Sequence, residues 1–338
     1  MKNLKLKDIA SALNISIAAV SKSLKNYPDV SPKTRERVRA YAKSVNFSPN
    51  SQAAFLRTRE TKLIGVIVSQ LTHYFFSTIL STIIEEAEAN GYLVIVLPSE
   101  ESVEIEKKHI ATLLQKHVDG IFLTLAKDTY DFEHLNQIVE SGTSLILFDN
   151  ISKVVPCSKV VIDDRQAAFM ATEYLIKKGK KRIAHCRGPL IPQLSIDRFI
   201  GYKRALEKYH IEYDPELVFV CDKINEEEGY EAAQKIIDMP LEIDALFAAS
   251  DLTAIGAMHC FQKNGFHVPK DIAIVGFSNW KVSSLTTPLL TTVDQPGDVI
   301  GKEVMALFLK EQAQKKAKET IEHQTVTVPT KLIERESS

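Results

Sequence analysis

The chain has 338 residues, 45% of them hydrophobic and 25% charged, with a net charge of −1, which is the make-up of a globular protein with more than one core and excludes a disordered or fibrous chain. No window approaches the roughly 18 uninterrupted apolar residues of a membrane span, and the charged start leads into an amphipathic pattern, so a cytoplasmic protein with no membrane partner is expected. The balance is uneven: residues 1–60 hold 12 Lys/Arg against 4 Asp/Glu, and the rest of the chain 30 against 39, so one small end is suited to a polyanion. Cys157, Cys186, Cys221 and Cys260 lack paired spacing, and neither a zinc site nor a disulfide framework is expected.

In chain order, Leu6, Ile9, Ala10 and Leu13 lie at i, i+3, i+4 and i+7 and predict a helix. The pattern breaks at Asn14-Ile15-Ser16 and restarts, with Ser16 as an N-cap and Val20 and Leu24 able to pack on the first helix. Ile17, Ala18, Ser21 and Lys22 then fall on the outer face, where two apolar residues call for a reason. A third helix follows, capped by Ser31, with Pro32 at its first position and Val38, Tyr41, Ala42 and Val45 inward. Three short basic helices suggest a helix-turn-helix. Its second helix would enter the major groove, Ile17 and Ala18 meeting thymine methyls and Lys22 donating to guanine. A helical hairpin with solvated lysines remains the alternative at this point.

Together with the residues that follow, essentially the whole chain closely resembles the LacI/GalR (lactose-repressor/galactose-repressor) family of bacterial transcription regulators. Four matches in order carry the resemblance: Lys7-Asp8-Ile9-Ala10, Ile15 to Lys22, Pro49-Asn50-Ser51-Gln52-Ala53-Ala54-Phe55-Leu56, and Gly65-Val66-Ile67-Val68. The resemblance implies a headpiece over 1–49 and a hinge over 50–60 that orders when two copies meet on DNA. Asn50, Ala53 and Leu56 would touch the DNA, with Leu56 wedged between base pairs in the minor groove. Lys22 stands where the family has Arg, a point charge in place of a planar fork. Ala54 stands where a hinge Arg is common.

Beyond Lys62, nine β-rich runs alternate with helix-length segments: "KLIGVIV", "YLVIVLP", "DGIFLTL", "SLILFD", "KVVID", "RIAHC", "ELVFVC", "DALFAA" and "DIAIVGF". The fold class is α/β: two Rossmann-like subdomains of parallel sheets, of the periplasmic-binding-protein kind, over 61–336. The first is expected over about 61–160 plus 292–320, the second over about 161–291 plus 321–336, with "QTVTVPTKLI" as the second's last strand.

Ligands of open α/β sheets sit beyond the carboxyl ends of strands. There the sequence places His73, Tyr74, Phe75 and Phe76, then Asp149 and Asn150, then Asp251, then Ser278, Asn279 and Trp280. Acceptors with aromatic faces suit a polyhydroxylated ligand. The resemblance implies that Arg198, heading Arg198-Phe199-Ile200-Gly201-Tyr202, and Asp251, heading Asp251-Leu252-Thr253-Ala254-Ile255-Gly256-Ala257, line an effector cleft. Phe75, Asp149 and Trp280 complete the expected site. Asp251 as a helix cap and Arg198 as an inter-helix ion pair are the plainer readings.

No nucleotide-binding or catalytic motif is present, so an enzyme such as a sugar kinase is disfavoured and no cofactor is expected. The expected protein is a dimeric DNA-binding regulator, a repressor of a pseudo-palindromic operator, controlled by a carbohydrate-like effector. A solute-binding protein without a regulatory role, or control by a protein corepressor, are the alternatives. The "ERESS" end carries no leucine heptads, and no tetramerising coiled coil is expected.

Overall fold

The structure is a computed structural model that describes residues 4–24, 26–45, 47, 60–72 and 74–338. They fall in two compact units, Met1–Thr61 and Lys62–Ser338.

The first unit packs α1 (Leu6–Leu13), α2 (Ile17–Leu24) and α3 (Pro32–Ser44) around Ile9, Ala10, Leu13, Val20, Val38 and Ala42. The break after α1 has a local cause. Asn14 takes the left-handed conformation, φ 52°, that closes a helix and that Asn tolerates. The Ser16 hydroxyl then accepts from the Ala19 amide at 3.1 Å to open α2. Arg37 donates to the Leu13 carbonyl at 3.0 Å, and Ser31 caps α3 by accepting from the Thr34 amide at 3.2 Å.

The second unit holds two six-stranded sheets. The first is built from β1 (Leu63–Val68), β2 (Leu93–Pro98), β3 (Gly120–Leu123), β4 (Ser144–Phe148), β5 (Ser158–Ile162) and β11 (Thr325–Val328), in the order β11-β5-β4-β3-β1-β2, and every pair is parallel. The second holds β6 (Ile183–Arg187), β7 (Val218–Val220), β8 (Ala245–Ala248), β9 (Ala273–Ser278), β10 (Thr291–Asp294) and β12 (Lys331–Ile333), in the order β12-β10-β9-β8-β6-β7, with only β12 antiparallel. All nine apolar runs of the sequence are strands. The central ones are buried on both faces, which explains why they read as continuous apolar runs.

Helices cover the sheets: α4 (Tyr74–Ala89), α5 (Val103–Gln115), α6 (Glu133–Glu140) and α11 (Gly297–Ala317) in the first, α7 (Asp164–Lys177), α8 (Gln193–Lys208), α9 (Glu226–Asp238) and α10 (Asp251–Lys263) in the second. The motif glycines serve close helix contacts. A Cβ on Gly201 would lie 2.2 Å from the Arg165 carbonyl oxygen, and one on Gly256 1.9 Å from that of Glu226.

The end of the chain differs from expectation. "QTVTVPTKLI" is two strands, interrupted at Pro329-Thr330, and they join different sheets: β11 extends the first sheet beside β5, and β12 pairs with β10 in the second. Pro329 lacks the amide a continuing ladder would need. Residues 291–294, expected partly in the first subdomain, likewise belong to the second sheet.

Candidate functional site

In the first unit, α2 uses one face for the core and turns the other outward. Val20 is fully buried, while Ile17 is 51% exposed and Ser16, Ala18 and Lys22 are exposed beside half-buried Ser21. Two apolar side chains held in water on a short basic helix are a surface waiting for a partner. The Lys22 ammonium is engaged by the Asp29 carboxylate from the loop before α3. This hydrogen bond raises the Lys22 pKa and lowers that of Asp29. Sequence reasoning missed Asp29, because a seven-residue separation across a turn has no periodic signature. Arg35 folds inward, donating to the Tyr27 and Val30 carbonyls at 3.1 and 3.0 Å, and so holds the loop that carries Asp29. Asn50, Ala53 and Leu56, with hinge residues 50–59 as a whole, and His73 lie outside the described residues.

In the second unit a cavity of about 500 Å³ opens at the carboxyl ends of the strands of both sheets. The strand order reverses between β1 and β3 and between β6 and β8, and the segments after these strands line it: Ser69, Thr124, Pro189, Ala249 and Ser250. Five non-glycine residues of the lining have positive φ: Glu100 (50°), Glu101 (58°), Asp149 (59°), Ile224 (52°) and Ser278 (102°). Backbone strain of this kind is held where side chains must be aimed at a ligand.

Phe75, Asp149 and Arg198 line this cavity as expected from the sequence. Arg198 is 7% exposed and fixed on three sides. Its Nε donates to Asp164 at 2.7 Å, Nη1 to the Ala249 carbonyl at 3.1 Å, and the guanidinium lies 3.8 Å over the Phe277 ring. Nη2 has no hydrogen-bond partner among the described residues. Burial raises the Asp164 carboxyl above its usual range while Arg198 opposes that rise. Burial also pushes Asp149 up to about 7, against the attraction of Arg198 and with the repulsion of Asp164 and Glu101.

Asp251 and Trp280 stand elsewhere and are corrections to the expected site. Neither lines the cavity. Asp251 is fully buried, one carboxylate oxygen accepting from the Trp280 amide and the other from the Thr292 hydroxyl, each at 2.6 Å. It is not the cap of α10 either; Ser250 is, accepting from the Thr253 amide at 3.2 Å. Gly276 leaves it room, since a Cβ there would lie 2.3 Å from an Asp251 oxygen. With both oxygens taken, Asp251 ties α10 to β10 and to the segment after β9. Burial pushes its carboxyl up to about 7. Trp280 is 7% exposed and packs within this knot.

The structure adds residues the sequence reading passed over: Glu101, Lys127, Ser195 and Asp222. Lys127, after β3, donates to the Asp222 carbonyl after β7 at 3.2 Å, a direct link between the rims of the two sheets. Among the described residues no cluster of His, Cys, Asp or Glu could hold a metal, and no helix is long and apolar enough to cross a membrane.

Comparison with known families assigns both units. A family described as "Bacterial regulatory proteins, lacI family" matches residues 5–50, and one described as "Periplasmic binding proteins and sugar binding domain of LacI family" matches residues 61–336. The chain belongs to the LacI family. It is 30% identical over 335 residues to the ribose operon repressor of Halalkalibacterium halodurans, covering 98% of this chain and 96% of that one. It is 33% identical over 304 residues to the transcriptional repressor CytR of Escherichia coli, covering 90% and 88%. Among solved structures, the lac repressor dimer bound to operator and the anti-inducer ONPF matches with a TM-score of 0.86 at 25% identity, covering 99% of each chain. The transcriptional regulator CelR in complex with cellobiose matches with a TM-score of 0.73 at 28% identity, covering 99% and 100%. This LacI-family chain is a DNA-binding transcription regulator with a sugar-binding domain, and not an enzyme.

Proposed function

We propose that the protein is a cytoplasmic homodimeric repressor that reads a pseudo-palindromic operator through α2 and is controlled by a small carbohydrate-like effector in the cavity of the second unit. The observation that carries this reading is the outward face of α2: Ile17 and Ala18 exposed beside Lys22, on a helix whose opposite face supplies the core. Ser16 and Ser21 flank them for phosphate or base contacts, and Lys22 leaves Asp29 when guanine replaces it. The operator-bound dimer of the lac repressor supports extending the same arrangement to this chain. Both sheets also end in edge strands with exposed apolar residues, Leu93 on β2 (65%) and Val220 on β7 (53%), which a second copy would cover.

Phe75, Asp149 and Arg198 hold the effector, and the relative solved with cellobiose supports a sugar there. Asn50, Ala53 and Leu56 make the hinge contacts, Leu56 as the wedge. Too few residues form the hinge for a stable helix alone, so it orders on DNA, and effector binding changes that equilibrium.

Mapping the chain's bound segments in its native genome, followed by gel-shift titration of the recovered sites with candidate sugars, tests the proposal. Recovery of inverted repeats whose binding one sugar alters is the expected result. Sequence-independent binding, or sites indifferent to every sugar, overturns it.

A further inference from the structure

The second unit holds another cavity, of about 540 Å³, lined by β5 and β11 of the first sheet and by α7 and α8 of the second half. It shares Asp149 and Leu194 with the first cavity and no other residue; Arg198 lines the first alone.

The carboxylates of this second cavity are largely committed within the protein. Asp197, with its side chain 15% exposed, accepts from Arg165 Nη2 at 2.6 Å through one oxygen. Its other oxygen accepts from Gln193 at 2.8 Å and Lys153 at 3.1 Å. Asp164 is held by Arg198, and Asp163 caps α7 by accepting from the Gln166 amide at 2.9 Å. Burial pushes the Asp149 carboxyl up to about 7, which leaves it part-protonated at neutral pH.

The cations are in surplus. Arg204 stands seven residues beyond Asp197, two turns along the same face of α8. It is exposed and has no hydrogen-bond or ion-pair partner among the described residues. Arg165 spends only Nη2 on Asp197, and its Nε is buried with no hydrogen-bond partner. A guanidinium carries five N–H donors, and a buried one left unpaired is costly and calls for an ion or a water. Lys159 alone is fully spent, donating to the Val155 and Cys157 carbonyls at 2.8 and 2.9 Å. Gln193 and Leu194, also in the lining, open α8, which has no side-chain cap. Across from them β11 presents the exposed hydroxyls of Thr325 and Thr327. Arginine forks, hydroxyls and an open helix start are the donors that oxyanions take.

We propose that this second cavity is a separate site for a small oxyanion, the phosphate or carboxylate group of a metabolite, held by Arg165 and Arg204. Lys153, Thr325 and Thr327 belong to the first half and both arginines to the second. A bound oxyanion therefore touches both halves and favours the arrangement in which they meet.

Calorimetry on the full chain at low ionic strength tests this with two probes, inorganic phosphate and succinate. At least one should bind with a millimolar or tighter Kd and raise the melting temperature. Phosphate alone identifies a phosphate group as the ligand and succinate alone a carboxylate, and either result supports the site. Arg204→Gln, at an exposed position, should weaken that binding about tenfold or more, as loss of a hydrogen bond to a charged group does. Arg165→Gln, checked for folding by its melting curve, should act in the same direction. Failure of both probes to bind at millimolar concentrations overturns the proposal. So does binding unchanged in both variants, which would place the anion elsewhere, the free Nη2 of Arg198 included. Neither failure touches the reading of the first cavity as the effector site.

Discussion

Each unit contains a basic side chain held by an aspartate, and the two pairs behave as opposites. Lys22 and Asp29 have side chains 47% and 51% exposed; Arg198 and Asp164 have side chains 8% and 12% exposed. Water and salt screen the first pair, so it is weak and can be exchanged for a nucleic-acid partner. The second has been stripped of solvent, and neither member can leave without stranding the other. The same chemistry gives an exchangeable contact in the unit that reads DNA and a fixed one in the unit that holds a ligand.

Salt offers the widest separation of the two. If a dimer neutralises six to ten phosphates, operator affinity falls about 10³- to 10⁵-fold between 50 and 200 mM salt. Affinity for a neutral sugar in the second unit changes little over the same range. Fluorescence anisotropy for DNA and calorimetry for the sugar measure both, and a flat DNA curve would count against groove docking.

Arg198→Ala comes next. Breaking a buried pair from one side costs about 3 to 5 kcal/mol, so the melting transition of residues 62–338 should drop well below that of wild type. An unshifted transition would mean that Asp164 finds water or a proton at little cost.

Lys22→Ala should leave melting and sugar binding as they are but relax base preference roughly ten- to a hundredfold at one position of each half-site. Selection from random operators reads this directly. The same consensus from both proteins would remove Lys22 from the base readers.

The smallest effect is that of Asp29→Asn. It removes the competitor of Lys22 and one negative charge near the DNA, and should tighten binding to all sequences within roughly threefold at low salt, with no change in melting. Weaker binding would show instead that Asp29 positions Lys22 for its base.

Much of this was legible in the chain, for a physical reason. Apolar strands buried on both faces leave continuous runs, and the three headpiece helices leave caps at Ser16 and Ser31, so local patterns report them. The cavity was partly legible: Phe75 and Asp149 follow strand ends, and Arg198 heads a motif whose Gly201 is required by a helix contact. Asp251 shows the limit. Its position after β8 is that of a ligand contact, but Thr292 and the Trp280 amide take its oxygens, and nothing local announces partners 41 and 29 residues away. The same holds for Asp164 beneath Arg198, 34 residues apart, and for Lys127 reaching Asp222. The last strands were misread because alternation gives the face of a strand and not the sheet it joins.

That final segment bears on how the protein is made. The first sheet receives its edge strand β11 only when residues 325–328 have been synthesised, and the second receives β12 a few residues later. Helix α11, at 297–317, packs against α4, β4 and β5 of the first half, more than a hundred residues earlier in the chain. A ribosome therefore emits the DNA-reading helices first and the pieces that finish both halves of the ligand-holding unit last. Early release of the chain, by a stop codon near residue 320, would leave both sheets short of an edge strand.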